Sequence, residues 1–407
     1  MDSCRVCGAP ISPFMSFGQM PIANGFLRPE EFADEYFFEL APAFCSSCHM
    51  FQIVEQPEPQ AMFHENYAFF SSTSKYMQDH FKAFADDVSE RFIAGRPSPF
   101  VVELGSNDGI MLRNFAAAGI HHLGVEPSAN VAEVARSNGV ESISVFFGAE
   151  TAADIADQHG KANAILAANV MCHIPDIQGV ALGVRSLLAD DGVFVFEDPY
   201  LGDMIEKTSY DQIYDEHVFI FSALSVAEAF RRHGLELIDV APQVTHGGSM
   251  RYTLAFEGAR PVSSAVETIL AKERAQGLDK PETYDRFRMN CETSRRDLMT
   301  LLNELREAGK RVVGYGATSK STTTMNYCGV TPDHVEFISD TTPIKQGKCT
   351  PGAHIPVKPH ADFAAAPPDY TLLFAWNHQR EIMANETSYT DGGGKWITYI
   401  PKVEIFP

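Results

Sequence analysis

The chain is short of positive charge: 32 lysines and arginines stand against 53 aspartates and glutamates, for a formal charge of -21. Such a surface repels polyanions, so no nucleic-acid partner is expected even though paired cysteine knuckles often serve nucleic-acid binders. Long apolar runs are also missing. No stretch approaches the roughly 20 residues that span a bilayer, and the opening MDSCRVCGAP has neither a basic leader nor an apolar core. No membrane association is expected, and the protein reads as cytoplasmic. Cys172, Cys291, Cys328 and Cys349 are scattered without regular spacing, which excludes a disulfide framework and fits reduced thiols. What is present is an acidic chain of 407 residues with 45% hydrophobic content, enough for two or three cores and suited to an enzyme.

The remaining cysteines form two CxxC turns, Cys4-Arg5-Val6-Cys7 and Cys45-Ser46-Ser47-Cys48. Each turn presents two thiolates to one ion, and two turns complete a tetrahedral zinc site. Four thiolates leave no open coordination position, so this zinc is structural rather than catalytic. PISPFMSFGQMPIANGFL and EYFFELAPAF read as short strands and loops around the metal, with Phe14, Phe17, Phe26, Tyr36, Phe37 and Phe38 as their core. The aromatic, hydroxyl-rich MFHENYAFFSSTSKYM that follows reads as a packed seam between domains.

From Pro99 the pattern changes to short apolar runs, FVVEL, HHLGVEP, ISVFF, NAILAAN and GVFVFEDP, alternating with helix-capable segments. That alternation specifies a doubly wound parallel sheet. The first turn, Glu103-Leu104-Gly105-Ser106-Asn107-Asp108-Gly109, puts Gly105 and Gly109 where a strand bends into a helix and a ligand approaches the backbone. Glu126 and Pro127 end the second strand, where a carboxylate accepts ribose hydroxyls, and Ala168-Asn169 end the fourth. With Glu103 and Asn107 these residues form the expected cofactor edge. The turn lacks GxGxxG, so the helix start that receives a pyrophosphate is absent; this disfavours a nicotinamide cofactor and fits S-adenosylmethionine. ELIDVAPQVTHGGSMRYTLAF, two extended runs around His246-Gly247-Gly248, reads as the antiparallel terminal hairpin of methyltransferases using that donor.

Between the fifth strand and the next helix lies Tyr210-Asp211-Gln212-Ile213-Tyr214-Asp215-Glu216-His217-Val218-Phe219, dense in proton-handling groups. Methyl transfer to carbon needs a carbanion equivalent, made by removing a proton beside a carbonyl. His217, with an ordinary pKa near 6.5 and so half-poised at neutrality, is the expected base. Glu216 or Asp215 would orient it, and Tyr214 would donate to an enolate oxygen. His173 follows the strand tip nearest the donor, as a second base or a closure of the strand end.

A helix over Tyr284–Ala308 leads to Gly314-Tyr315-Gly316-Ala317-Thr318-Ser319-Lys320-Ser321-Thr322, a turn whose amides and Lys320 suit a phosphate. VEFISD, IPV, YTLLFAWN and KWITYIP predict a second small parallel sheet, which gathers Lys320, Thr322, Asp340, Lys345 and Asn377 at its carboxyl edge to bind the diphosphate portion of a substrate.

Taken together, CRVCG, CSSCH, VELGSNDGIML, HLGVEPS, AANVMCHIPD, FEDPYLGDMIEKTSYDQIYDEHVFIFS, VTHGGSMRY, GYGATSKSTTTMNYCG, DTTPIKQGKCTPGAHIPV and FAWNH resemble the sugar C-methyltransferases that build branched deoxysugars for antibiotics, including the tetronitrose type. The resemblance covers essentially the whole length. It implies an α/β protein of three parts: a zinc-binding domain over 1–75, a class I methyltransferase sheet over 76–285, and a Rossmann-like nucleotide-sugar-binding domain over 286–407. It also implies methylation at carbon 3' of a nucleotide-linked 4-keto sugar, with His217 as base, Tyr214, Glu216 and His173 in support, and Tyr67 of HENYAFFSS facing the substrate. Where the family pattern has a second tyrosine two places after Tyr67, this chain has Phe69. A monomer is expected. The competing readings are a small-molecule methyltransferase acting on oxygen and a zinc-ribbon sensor of nucleotide sugars without turnover.

Overall fold

The computed structural model describes residues 2–58 and 75–407, and the segment carrying Tyr67 and Phe69 lies outside the described residues. The amino-terminal part is built from paired short strands: β1 (Asp2–Ser3) with β2 (Pro10–Ile11), β3 (Gln19–Pro21) with β4 (Phe37–Glu39), and β5 (Pro42–Phe44) with β6 (Phe51–Ile53). Each knuckle closes on itself, Gly8 N–H to Cys4 O and His49 N–H to Cys45 O. Strand alternation in β4 turns only Phe38 inward. Tyr36 and Phe37 are 52% and 41% exposed, so they are not core residues as the composition implied. Phe17 is buried against Tyr210 and Tyr327 from later in the chain, so it belongs to a seam.

The central sheet has seven strands: β7 (Phe100–Leu104), β8 (His121–Val125), β9 (Ser142–Ile143), β10 (Ala162–Ala168), β11 (Leu188–Pro199), β13 (Leu235–Gln243) and β14 (Ser249–Phe256). Their order is β13-β14-β11-β10-β7-β8-β9, with β14 antiparallel to both of its neighbours and all other pairings parallel. Both faces are covered, as parallel strands require. Phe194 and Phe196 of β11 pack on one side with Val180, Val184 and Phe230, while Val193 and Val195 pack on the other with Phe84 and Val88. The run ISVFF does not form a full strand. β9 stops at Ile143, and Val145 and Phe146 are 40% and 53% exposed where the chain leaves the sheet edge for the helix Ala149–His159.

β12 (Phe219–Ile220) does not join that sheet; it adds to β5 and β6 as a third antiparallel strand. A 27-residue helix, Pro281–Glu307, opens with proline at its first position and spans the boundary placed at 285. Beyond it, β15 (Val312–Tyr315), β16 (Ile338–Ser339), β17 (Val357–Lys358), β18 (Tyr370–Leu373), β19 (Lys395–Thr398) and β20 (Glu404–Phe406) form a six-stranded sheet ordered β17-β16-β15-β18-β19-β20, parallel but for β20. Among the described residues no helix is long and apolar enough to cross a membrane.

Candidate active site and zinc centre

The two knuckles bring four sulfurs into one cluster. Cys4 Sγ lies 3.5 Å from Cys48 Sγ, Cys7 Sγ lies 3.5 Å from Cys45 Sγ, and all four fall within 4.8 Å of one another. A tetrahedral zinc with bonds of about 2.3 Å needs sulfur separations of about 3.8 Å, so the cluster fits the ion with little adjustment. Gln52 Nε2 donates to Cys4 Sγ at 3.1 Å, the outer contact that supports a metal-bound thiolate.

At the carboxyl edge of the central sheet, the turn after β7 is tied to the tip of β8. Glu126 accepts the amides of Asn107 at 2.9 Å and Ser128 at 2.8 Å, one on each oxygen, and also interacts with the Ser128 hydroxyl, so the carboxylate shapes the turn that a ligand would meet. Gly105 has φ +61° and faces Val170, which leaves no room for a β-carbon, and Gly109 at φ +80° is crowded by Val140. Among the described residues, Glu103 Oε2, Ser106 Oγ and Asn169 Oδ1 are buried without hydrogen-bond partners, the last on a residue held at φ +55°. Burial, with Glu126 and Asp108 nearby, raises the Glu103 carboxyl well above its usual range. Unsatisfied acceptors beside a pair of constrained glycines suit a ligand rich in donors, and S-adenosylmethionine brings an ammonium, ribose hydroxyls and a net positive charge. Pro127 and Ala168 flank the same edge at the ends of β8 and β10.

The reacting groups converge on the turn before β12. His217 is buried, and its Nδ1 contacts the carbonyl of Gln212 at 2.7 Å, which requires a proton on Nδ1. The Nε2 lone pair therefore points the other way, where the Tyr214 hydroxyl meets it at 2.8 Å. His173, on the one-turn helix Met171–His173 after β10, stacks on His217 with centroids 5.3 Å apart and planes at 28°. Burial, with His173 and Lys320 nearby, pushes His217 well below its ordinary pKa, and burial lowers His173 to about 4. The imidazole is thus fully neutral near neutrality instead of half-poised. Burial and neighbouring Glu216 raise Asp215 to about 8, and burial raises Glu216 against the pull of Asn24 and Lys345.

The polar residues expected at the last sheet face the same region, but several are engaged with protein. Lys320 Nζ donates to the His246 carbonyl at 3.0 Å and sits 4.9 Å over the Trp376 ring. Lys345 Nζ donates to Ala317 O at 2.7 Å, and Thr322 Oγ1 to Ala23 O at 2.9 Å. Asp340 repeats the device of Glu126, accepting the amides of Ala317 at 2.7 Å and Thr342 at 2.8 Å. Asn377 lies in the single turn Trp376–His378 that follows β18.

Family models match three consecutive stretches: a zinc binding domain over residues 4–63, a methyltransferase domain over 75–240, and a C-methyltransferase C-terminal domain over 244–401. C-methyltransferase NovU of Streptomyces niveus is 37% identical over 408 residues, covering 100% of this chain and 97% of that protein. The chain belongs to the C-methyltransferase family. It is an S-adenosylmethionine-dependent C-methyltransferase, and zinc is its second cofactor. Among solved structures, an S-adenosylmethionine-dependent methyltransferase from Anabaena variabilis is 17% identical with a TM-score of 0.34, covering 43% of this chain and 84% of its own. Magnesium protoporphyrin IX methyltransferase from Synechocystis is 12% identical with a TM-score of 0.33, covering 44% and 78%.

In this C-methyltransferase the structure adds residues that the sequence did not single out. Ala23 N donates to Asp215 Oδ1 at 2.9 Å, and Asn24 Nδ2 donates to Glu216 Oε1 at 2.6 Å. Asp211 is buried and accepts Trp376 Nε1 at 2.6 Å and the Tyr399 hydroxyl at 2.8 Å. The visible signal was slight: an Asn-Gly pair inside the apolar run PIANGF.

Proposed function

We propose that the enzyme methylates carbon 3' of a nucleotide-linked 4-keto-6-deoxyhexose, with His217 as the base. The carrying observation is the fixed tautomer of His217. Its Nδ1 proton is held on the Gln212 carbonyl, so Nε2 is an unprotonated acceptor in a buried site, which is the state a base must be in before it acts. In the proposed sequence the 4-keto oxygen draws the Tyr214 hydroxyl away from Nε2. The exposed lone pair then removes the proton on carbon 3', the carbon–hydrogen electron pair passes into the ring as an enolate, and Tyr214 donates to the enolate oxygen. His173 packs beside the imidazole and limits its rotation. Bound at the Glu103–Gly109 turn and the tips of β8 and β10, S-adenosylmethionine supplies an electrophilic methyl group. Tyr67 is proposed as a substrate residue on the strength of the sequence resemblance alone.

The nucleotide portion is assigned to the carboxyl edge of the six-stranded sheet. Support comes from the glycine turn before the helix Ser319–Cys328, with Asp340 shaping it and Lys320, Thr322, Lys345 and Asn377 around it. The three parts 1–75, 76–285 and 286–407 are read as working units around one cleft. The test is His217→Asn assayed with a thymidine diphosphate-linked 4-keto-6-deoxyhexose. Solvent deuterium exchange at carbon 3' and methyl transfer should collapse together, and labelled product should carry the new methyl on carbon. Exchange that survives unchanged would assign the base elsewhere, and a methyl found on oxygen would replace the reaction class.

A further inference from the structure

We infer that Asn24, on the zinc-bearing module, is a positioning residue for the base: it holds Glu216 and so fixes the turn that carries Tyr214 and His217. This inference rests on the assignment of His217 as base. Downstream, Phe221 is tied to the seven-stranded sheet through the Tyr252 hydroxyl of β14 and the Leu201 N–H, but the two residues before it are not. Phe219 and Ile220 pair with Gln52 and Phe51, and Ile53 N–H donates to Val218 O at 2.9 Å. The strand that receives them begins three positions after Cys48 of the second knuckle. Upstream, the Ala23 amide and the Asn24 side chain bind the Asp215 and Glu216 carboxyls, and Gln56 Nε2 reaches the Asp215 carbonyl at 3.4 Å. Residues 215 to 220 are therefore held largely by the zinc module, across 192 positions of sequence for the Asn24 contact.

Chemistry explains why a donor is required there. Asp215 and Glu216 are adjacent acids, both buried, and a buried carboxyl is costly unless a donor reaches it. Asn24 is an amide with no charge of its own and offers its NH₂ to Glu216, and the Lys345 ammonium adds an attraction from the last sheet. Within the turn, His217 N–H bonds Tyr214 O at 2.9 Å, so a shift of Glu216 carries the Tyr214–His217 pair with it.

The experiment compares full-length Asn24→Leu and Asn24→Ala with the wild type, after confirming zinc content and unfolding temperature. Asn24→Leu keeps roughly the volume but removes the donor without adding a carboxyl, so a steric role and a donor role rank the two variants differently. Two readouts are used: the downfield imidazole N–H resonance of the His217–Gln212 bond, identified by its loss in His217→Asn, and deuterium exchange at carbon 3' of the thymidine diphosphate-linked 4-keto sugar. In both variants the resonance should move or exchange faster with solvent, and carbon exchange should fall about 10- to 100-fold with an unchanged KM for S-adenosylmethionine, the scale expected for misplaced reacting groups. An unmoved resonance, an exchange rate within about twofold of wild type, or a defect in Asn24→Ala alone would overturn the inference. If His217→Asn leaves carbon exchange intact, the base assignment fails while the resonance still decides whether Asn24 holds the turn.

Discussion

Tyr214→Phe removes one hydroxyl from the 2.8 Å contact with His217 Nε2 while leaving the ring, whose centroid lies 4.1 Å from the imidazole. Two magnitudes compete. If the hydroxyl only aligns the imidazole, a neutral hydrogen bond worth about 0.5–1.5 kcal/mol is lost, which is about 2- to 13-fold in rate. If it also turns to the enolate oxygen, a donor aimed at developing negative charge is lost, worth about 100- to 1,000-fold. The proposed mechanism requires the second. Deuterium exchange at carbon 3' with S-adenosylhomocysteine present isolates the proton-transfer step, and methyl transfer measured in parallel should fall by the same factor. The phenyl ring still fills its place, so the unfolding temperature should hold. A loss smaller than about 13-fold would refute the oxyanion role and leave alignment alone.

Because burial keeps His217 well below 6.5, and His173 and His246 near about 4 and about 3, the base stays unprotonated as pH falls through 6.5; an NMR titration of the His217 imidazole should show no protonation between about pH 7.5 and about pH 6, and a midpoint near 6.5 would contradict the buried neutral imidazole. Cys48→Ser, at a fully buried sulfur of the four-thiolate cluster, should reduce bound zinc and lower stability by several kcal/mol, read by metal analysis and thermal unfolding; a variant with an unchanged midpoint would remove zinc from the folding of this module. Gly105→Ala must fit a β-carbon against Val170 at φ +61°, so affinity for S-adenosylhomocysteine should fall by about 10-fold or more by calorimetry, and an unchanged affinity would place the cofactor away from this turn. Arg251→Met leaves buried Glu197, now bound at 2.9 Å by Arg251 and 2.7 Å by His80, without its guanidinium; a loss of about 3 kcal/mol or more in urea unfolding is expected, and a neutral result would show that His80 suffices.

Local pattern reached most of the sheet architecture because strands, turns and helix starts are local decisions. The helix expected from Tyr284 already begins at Pro281, but the apolar run Val193–Phe196 and the glycines at 105 and 109 each declare themselves within a few residues. So do the knuckles, whose spacing carries the chemistry of their metal. It failed where apolar content stood in for pleat geometry: Tyr36 and Phe37 are large and apolar but lie outside the one inward position of β4, and Val145 and Phe146 follow a strand that has already ended. Charge states were also out of reach. The imidazole at 217 was expected to be half-poised at neutrality, but its depressed pKa comes from burial and from neighbours such as His173 and Lys320 that only the fold assembles. The Asn24–Glu216, Asp211–Trp376 and Thr322–Ala23 contacts join residues separated by 192, 165 and 299 positions, and nothing in a short window encodes such a pairing.

At the tip of the β13–β14 hairpin, Gly247 lies flat against the indole of Trp376, the same indole that donates to Asp211 and roofs Lys320. The hairpin of one sheet and the edge of the other are thus gauged by a hydrogen atom where any other residue would carry carbon. A methyl group there would act as a shim, levering the tryptophan off its acid.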